Sequence, residues 1–443
     1  MNTPICDFVR DYSRENTLRL HMPGHKGMPL LGMESMDITE IAGADSLYEA
    51  RGIIAQSEAN ASAVFGCRTF YSTEGSSQCI RAMLHLVRLY AGRLGRKPVI
   101  VAGRNAHKTF LTAAALLDLE VSWLYPEAGG SYLSCNVTAE ELEACLAAEK
   151  PAAVYLTSPD YLGNTVDIAA AAEICHKHGA LLVIDNAHGA YLKFLPESLH
   201  PIDLGADICC DSAHKTLPAL TGAAYLHLSE KMDRELGAQV KNALMLFGST
   251  SPSYLILQSL DAMNPYLESC QQRMSTFVSA VQGLKDRLKK QGYHLCGNEP
   301  MKLTVDAKAY GYTGTELAEY LRRNKAEPEF ADEDFLVLML SAENGENTLR
   351  EVERLLCSLP AGEAIKTPAP QFVRAERVMS IREALLSDCE TLPAEECLGR
   401  VLAVPTVACP PAVPILICGE KITEHAISCF RYYGISQCCV VKE

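Results

Sequence analysis

Asp185-Asn186-Ala187-His188-Gly189 closes the apolar run Ala180-Leu181-Leu182-Val183-Ile184, and Asp211-Ser212-Ala213-His214-Lys215 follows a second strand-like run at 206–210, apolar over Ile208-Cys209-Cys210. A short, wholly apolar run bounded by turn residues reads as a buried strand. Asp185 would then project from a strand's C-terminal edge, where open α/β sheets bind ligands. Lys215, with Ser212 and His214 beside it, would end the next strand. A strand-end carboxylate and a strand-end amine suit one cofactor, pyridoxal 5'-phosphate (PLP), an electron sink carried as a Schiff base on a lysine. Lys215 would supply the amine, and Asp185 would keep the pyridine nitrogen protonated by charge pairing. Taken singly the two have duller readings, Asp185 as a helix N-cap and Lys215 as a surface lysine.

A phosphate needs a cradle. Thr69-Phe70-Tyr71-Ser72-Thr73-Glu74-Gly75-Ser76-Ser77-Gln78 runs from a short strand into a helical pattern, Cys79 to Tyr90. Backbone N–H groups at a helix N-terminus, with Gly75, Ser76 and Ser77 around them, form an anion site. Serine is also an ordinary N-cap. Ser212 and His214 would add donors. Arg104-Asn105-Ala106-His107-Lys108 follows the apolar run Pro98 to Ala102. The His107 imidazole could lie flat on a pyridine ring or be a satisfied surface residue. His188 is either a turn residue or a partner to cofactor or substrate carboxylate.

The rhythm of the chain is α/β. Strand-like runs at 98–102, 121–125, 152–157, 180–185 and 206–210 alternate with helical stretches at 107–118, 138–149, 166–178 and 231–244, with a further strand at Leu226–Leu228. That alternation predicts a mostly parallel sheet. One long helical pattern runs from Ser253 through Met274 to Lys290. Strands at 300–306 and 335–340 and helices at 314–324 and 345–358 predict a small α+β unit. A Pro-rich linker follows, Leu359 to Pro370, and then a tail with helices near 378–387 and 394–398. The expected organisation is an N-terminal arm (1–35), a PLP-binding large domain (36–262), a small α+β domain (263–360) and a C-terminal domain (371–443).

Composition frames this reading. A chain of 443 residues, 48% hydrophobic, implies more than one domain. Its net charge of −14 suits cationic ligands and solubility equally, and it speaks against nucleic acid. Residues 1–19 lack the apolar run of a signal peptide, and no membrane-spanning run occurs, so a cytoplasmic protein is expected. The 18 cysteines contain no C-x-x-C pair. Reduced thiols and no metal are expected, with Cys209 and Cys210 acting as small buried hydrophobes. The adjacent Cys438-Cys439 could be reactive, or equally bland.

Leu20-His21-Met22-Pro23-Gly24-His25-Lys26-Gly27, Asp37-Ile38-Thr39-Glu40, Gly43-Ala44-Asp45, Arg104 to Lys108, Thr157-Ser158-Pro159, Asp185 to Gly189, Ser212 to Lys215 and Thr250-Ser251-Pro252-Ser253-Tyr254 together resemble the PLP-dependent ornithine/lysine/arginine decarboxylases of fold type I. The likeness covers roughly 18–262 and returns in Gly399-Arg400, Cys409-Pro410-Pro411-Ala412-Val413-Pro414 and Gly419-Glu420. It implies an aminotransferase-like large domain and roles position by position. Lys215 is the Schiff-base lysine, Asp185 the pyridinium partner and His107 the stacked ring. His188 lies beside the phenolic oxygen and substrate carboxylate. Gly75, Ser76, Ser77, Ser212 and His214 hold the phosphate, with Ser249 or Thr250 reaching a neighbouring subunit's phosphate, which implies a homodimer or higher oligomer with shared active sites. Lys215 or His214 would return a proton to the substrate's α-carbon.

A basic substrate needs an acidic partner. Asp45 and Asp160 are the first candidates, and Glu327, Glu329 and Asp332 the next. The chain departs from the family at Glu74 (Asn in the family), Asp160 (Thr), Asn186 (Glu), Gly222 (Gln) and in 409–414, departures that bear on the substrate. Three functions remain open: decarboxylation of arginine, lysine or ornithine; another PLP reaction on an amino acid, such as transamination, racemisation or lysis; and a catalytically silent PLP-binding homologue.

Overall fold

The computed structural model describes residues 1–126, 130–409 and 413–443. The expected motif at 409–414 therefore falls partly on residues outside the described ones. The chain packs as two compact units, each built from separated stretches: Met1–Lys97 with Leu181–Ser275, and Pro98–Ala180 with Thr276–Glu443. Up to residue 228 the strands are β1 (Arg68–Ser72), β2 (Val99–Gly103), β3 (Glu120–Leu124), β4 (Ala153–Thr157), β5 (Leu181–Asp185), β6 (Ile208–Asp211) and β7 (Ala224–Leu228). Each expected strand forms, with ends shifted by two residues at most.

In the first unit the order is β1-β7-β6-β5. β5 and β6 are parallel, and β7 runs against both β6 and β1. Every residue of β5, β6 and β7 is buried, as an apolar run sandwiched on both faces requires. The helix Gly75–Arg93 packs on β6 and β7 through Cys79, Ile80, Met83, Leu84 and Val87, the spacing of one helical face. It starts at Gly75, earlier than its apolar periodicity shows, because a first turn needs no apolar residues.

The patterns at 231–244 and 253–290 read as continuous helices and are not. The first breaks at a 3₁₀ turn, Gly237–Gln239, between Glu230–Leu236 and Val240–Met245. The second divides into Tyr254–Glu268 and Gln271–Lys290. At that break the Ser269 hydroxyl donates to the carbonyls of Pro265 and Tyr266, competing with the helical pattern. The helices Pro4–Arg14 and Ile53–Phe65 were not anticipated. The first starts with Pro at its N-terminus, and its Ile5 and Cys6 N–H groups donate to the buried Asp261 carboxylate.

In the second unit β4-β2-β3 are all parallel. Four further strands, β8 (His294–Cys296), β9 (Lys302–Asp306), β10 (Phe330–Ala331) and β11 (Phe335–Met339), form an antiparallel sheet in the order β10-β11-β9-β8. The helices Gly314–Arg323 and Gly345–Cys357 accompany it, as expected. β8 and β10 are too short to leave a periodic signal. The tail holds two antiparallel pairs, β12 (Cys389–Pro393) with β15 (Gln437–Val441) and β13 (Thr406–Cys409) with β14 (Val413–Ile417). The expected helix near 394–398 is only a 3₁₀ turn, Ala394–Glu396, and Glu424–Tyr432 is a helix not anticipated. Phe430, Ile415, Leu402 and Val440 join Tyr132, Leu162 and Val337 in one apolar cluster.

Arg104, just beyond β2, is buried. Its Nη2 pairs with Glu420 Oε2 at 2.9 Å and its Nη1 donates to Pro414 O at 3.1 Å. Among the described residues no helix is long and apolar enough to cross a membrane, and the cysteines are free thiols. Glu420→Ala strands a buried guanidinium and is expected to cost about 3–5 kcal/mol in thermal or denaturant unfolding. Glu395→Ala, which opens an exposed pair with Arg431, is the control and leaves the transition nearly unchanged.

Candidate active site

Three turns of the first unit meet: those following β5 and β6, and the start of the helix Gly75–Arg93. Asp185, the last residue of β5, is 2% exposed. Its Oδ1 accepts the Ala187 N–H at 3.2 Å and lies 3.8 Å from the Cys210 thiol, its neighbour in the parallel register. His188 is buried, and its Nε2 lies 2.9 Å from Lys215 Nζ. The amine and the imidazole are within hydrogen-bond distance of one another. The amine, the imidazole and the strand-end carboxylate thus come from the predicted positions.

Lys215 does not end the strand, as the sequence suggested. β6 stops at Asp211, and Lys215 sits in a single helical turn, Ala213–Thr216. The Lys215 N–H bonds to Ser212 O and the Leu217 N–H to Ala213 O, at 3.1 and 2.8 Å. That turn leaves Ser212 pointing at the neighbouring helix, where its hydroxyl donates to Ser76 Oγ at 2.7 Å. His214 donates through Nδ1 to Ala223 O at 3.0 Å.

The phosphate cradle passes a direct test. Glu74, at the N-cap of the helix Gly75–Arg93, makes no side-chain capping bond there; its carboxylate instead accepts the Ser249 N–H. A Cβ added to Gly75, which has φ +70°, would meet nothing within 4 Å, so there is open space at this helix end. Hydroxyls of Ser76, Ser77 and Ser212 surround a terminus whose partial charge is positive, the donor chemistry a phosphate needs. The departure at 222 has a backbone cause. The Gly75 N–H bonds to Gly222 O at 2.8 Å, and at Gly222, with φ +97°, an added Cβ would come within 3.0 Å of Thr73 O. The residues present therefore fit PLP: a helix N-terminus for its phosphate, Lys215 for its aldehyde, Asp185 for its ring nitrogen.

The remaining expected residues are held as follows. Thr250 is exposed, one residue beyond the Ser249 held by Glu74. His107 belongs to the second unit, where its Nδ1 accepts the Thr109 N–H at 3.2 Å and caps the helix Lys108–Leu117. The two carboxylates expected to bind a substrate amine are already engaged. Asp45 accepts the N–H groups of Arg51, Gly52 and Ile54 and so caps the helix Ile53–Phe65. Asp160 is buried, which pushes its carboxyl up, and takes donors from Ser134 and Asn164. Glu327 pairs with Arg322, Glu329 accepts from Tyr161, and Asp332, raised to about 6 by burial, holds the β10–β11 turn.

The sequence reading missed a buried group. Asp211 Oδ1 accepts from Asn186 Nδ2 at 2.7 Å, and its Oδ2 lies 3.2 Å from Nε2 of both His200 and His227. All four residues are fully buried. Burial alone would raise the Asp211 carboxyl, but the two imidazoles outweigh it and hold it well below the usual carboxylate range. Burial pushes the His227 imidazole down. His200, Cys209 and Asp211 also approach with metal-ligand spacing. However, the carboxylate already has three donors, and burial keeps the Cys209 thiol protonated. One signal was available: an aspartate closing an apolar strand, with a histidine inside the facing one.

The chain is similar to known proteins in both sequence and fold. The family description "Orn/Lys/Arg decarboxylase, major domain" matches residues 3–297, and its C-terminal domain matches 366–439. An arginine decarboxylase of Bacillus subtilis (strain 168) is 29% identical, over 96% of this chain and 92% of that protein. The crystal structure of the Francisella novicida lysine decarboxylase LdcF superposes with a TM-score of 0.80 at 16% identity, covering 99% of this chain and 81% of that one. Oryza sativa TDC with PLP gives 0.57 at 15% identity, covering 71% and 74%. The chain belongs to the Orn/Lys/Arg decarboxylase family, whose members are PLP-dependent.

Proposed function

We propose that the chain decarboxylates a basic amino acid, arginine, lysine or ornithine, to the amine and CO2. The observation that carries this is the 2.9 Å contact between Lys215 Nζ and His188 Nε2 beside the Asp185 strand end. When bound, PLP supplies the sink for the electron pair left by the departing carboxylate. The chain's own residues do the rest. Lys215 holds the cofactor and, once displaced by the substrate amine, is an amine next to a proton acceptor, His188. Asp185 keeps the ring nitrogen cationic. Gly75, Ser76, Ser77, Ser212 and His214 anchor the phosphate and so fix the ring's orientation, worth on the order of 7–11 kcal/mol when reacting groups are aligned. Lys215 or His214 returns a proton to the α-carbon. His107 is the residue for the ring face, and Thr250 the one for a neighbouring subunit's phosphate.

The same reading makes the protein a homodimer or higher oligomer. Its support is the exposure of Leu18, Leu20, Leu30 and Leu31 around His21 to Gly27, at 78–85% each, which is apolar surface that a second chain would cover. A cytoplasmic location is part of the same proposal, and its support is the abundance of cysteines without a disulfide framework among the described residues. The domain organisation read from the sequence, with an arm at 1–35 and domains at 36–262, 263–360 and 371–443, is part of this proposal.

Incubation with single amino acids, followed by CO2 and amine detection, is expected to give both products from one of the three; a keto acid would overturn the reading. Lys215→Ala abolishes turnover and the borohydride-sensitive visible absorbance of the lysine-bound cofactor. Asp185→Asn keeps that absorbance and lowers kcat by several orders of magnitude in steady-state assays.

A further inference from the structure

We infer that Asp211 is a positioning residue for this site: through Asn186 it locks the Asp185–His188 turn to the Ser212–Lys215 turn, and it sets a second fixed negative charge on the strand paired with that of Asp185. The inference rests on the PLP reading above.

Side chains alternate along a strand, so Asp185 and Asn186 face opposite sides, as do Cys210 and Asp211. Asp185 shares its side with Cys210, while Asn186 bonds Asp211 on the other at 2.7 Å. The Asn186 N–H also bonds to Cys210 O at 3.0 Å, extending the β5–β6 pairing by one residue. One side-chain bond thus ties together the turns carrying Asp185, His188, Ser212 and Lys215. Where the resembled family has a glutamate after the aspartate, this chain has Asn186, which donates to Asp211 on the next strand.

The Asp211 carboxylate is held ionised. His227 Nδ1 lies 3.0 Å from Thr69 Oγ1 and its Nε2 donates to Asp211, while burial pushes the imidazole down. Among the described residues the hydrogen-bond partners of Asp211 are Asn186, His200 and His227, none of them a Lys or Arg. The other ionisable groups that feel it, Cys67, Cys79, Cys209, Cys210 and Tyr225, are pushed up by burial and stay neutral. Further out, Asp203 and Lys193 pair with each other. In a low-dielectric core a carboxylate raises the proton affinity of nearby cationic groups.

The test is a pH titration of the visible absorbance of the lysine-bound cofactor in the holoenzyme, with steady-state kinetics alongside. Asp211→Asn is expected to lower the titration midpoint by about one unit and to lower kcat with little change in KM. The swap Asn186→Asp/Asp211→Asn, which moves the charge across the same bond, restores most of the midpoint. His227→Gln, which keeps the charge, does not lower it. An unchanged midpoint in Asp211→Asn, or an equal fall in His227→Gln, overturns the inference. Should Asp211→Asn fail to fold, Asp211→Glu is read instead: a retained midpoint with reduced kcat supports the inference, and a fallen midpoint or unaltered kcat overturns it. Wild-type protein lacking the absorbance sinks the PLP reading itself; wild-type absorbance with an unresponsive Asp211→Asn sinks only this inference.

Discussion

Parallel pairing of β5 with β6, in the register Asp185 opposite Cys210, is the constraint on which the site depends. A one-residue slip would turn every side chain of one strand to the other face. Asp185 and Asn186 would exchange sides, and the Lys215 amine would move with its strand away from His188. Both strands are buried along their whole length, so the slip would also put Asp211 among apolar side chains without its donors. The chemistry is therefore protected by the same apolar packing that makes the strands. Polar residues are confined to the strand ends, where the backbone turns and hydrogen-bond partners are available.

The second unit uses a similar device. Arg104 follows the apolar β2 and is buried, yet its guanidinium is held by Glu420 and Pro414. Buried charges of this kind contribute little net stability against an apolar replacement, but they tolerate no loss of a partner. Their value here is geometric. Arg104 fixes the chain three residues before His107, and Asp211 fixes it four residues before Lys215.

Much of this was legible in the sequence. Apolar stretches with turn residues at their ends gave β2, β4, β5 and β6, and the Asp185, His188, Ser212 and Lys215 cluster followed from placement at or just beyond the ends of β5 and β6. What escaped had weak or misleading periodicity. Gly237 and Ser269 interrupt helices whose apolar pattern continues past them, and β8 and β10 are too short to show a period. Asp45 and Asp160 looked like substrate ligands because a carboxylate's type is visible in sequence and its partners are not; backbone N–H groups and neighbouring side chains had already engaged both. Asn186 and Gly222 read as departures and prove to be local solutions, one a bond to Asp211, the other a crowded backbone approach at positive φ. The His200–Asp211–His227 group joins residues from separate segments, so its trace in the sequence is only an aspartate closing one strand and a histidine inside another.

The interleaving of the two units bears on how the protein is made. β1 pairs with β7, so Ser72 must wait for Ala224, and the stretch between them includes 98–180, which belongs to the other unit. On the ribosome the first hundred residues emerge with no partner for their strand, and their unit closes only after residue 275 has been synthesised. Such high contact order slows folding and exposes an unpaired edge meanwhile. Until Ala224 to Leu228 are made, β1 therefore has no strand to pair with.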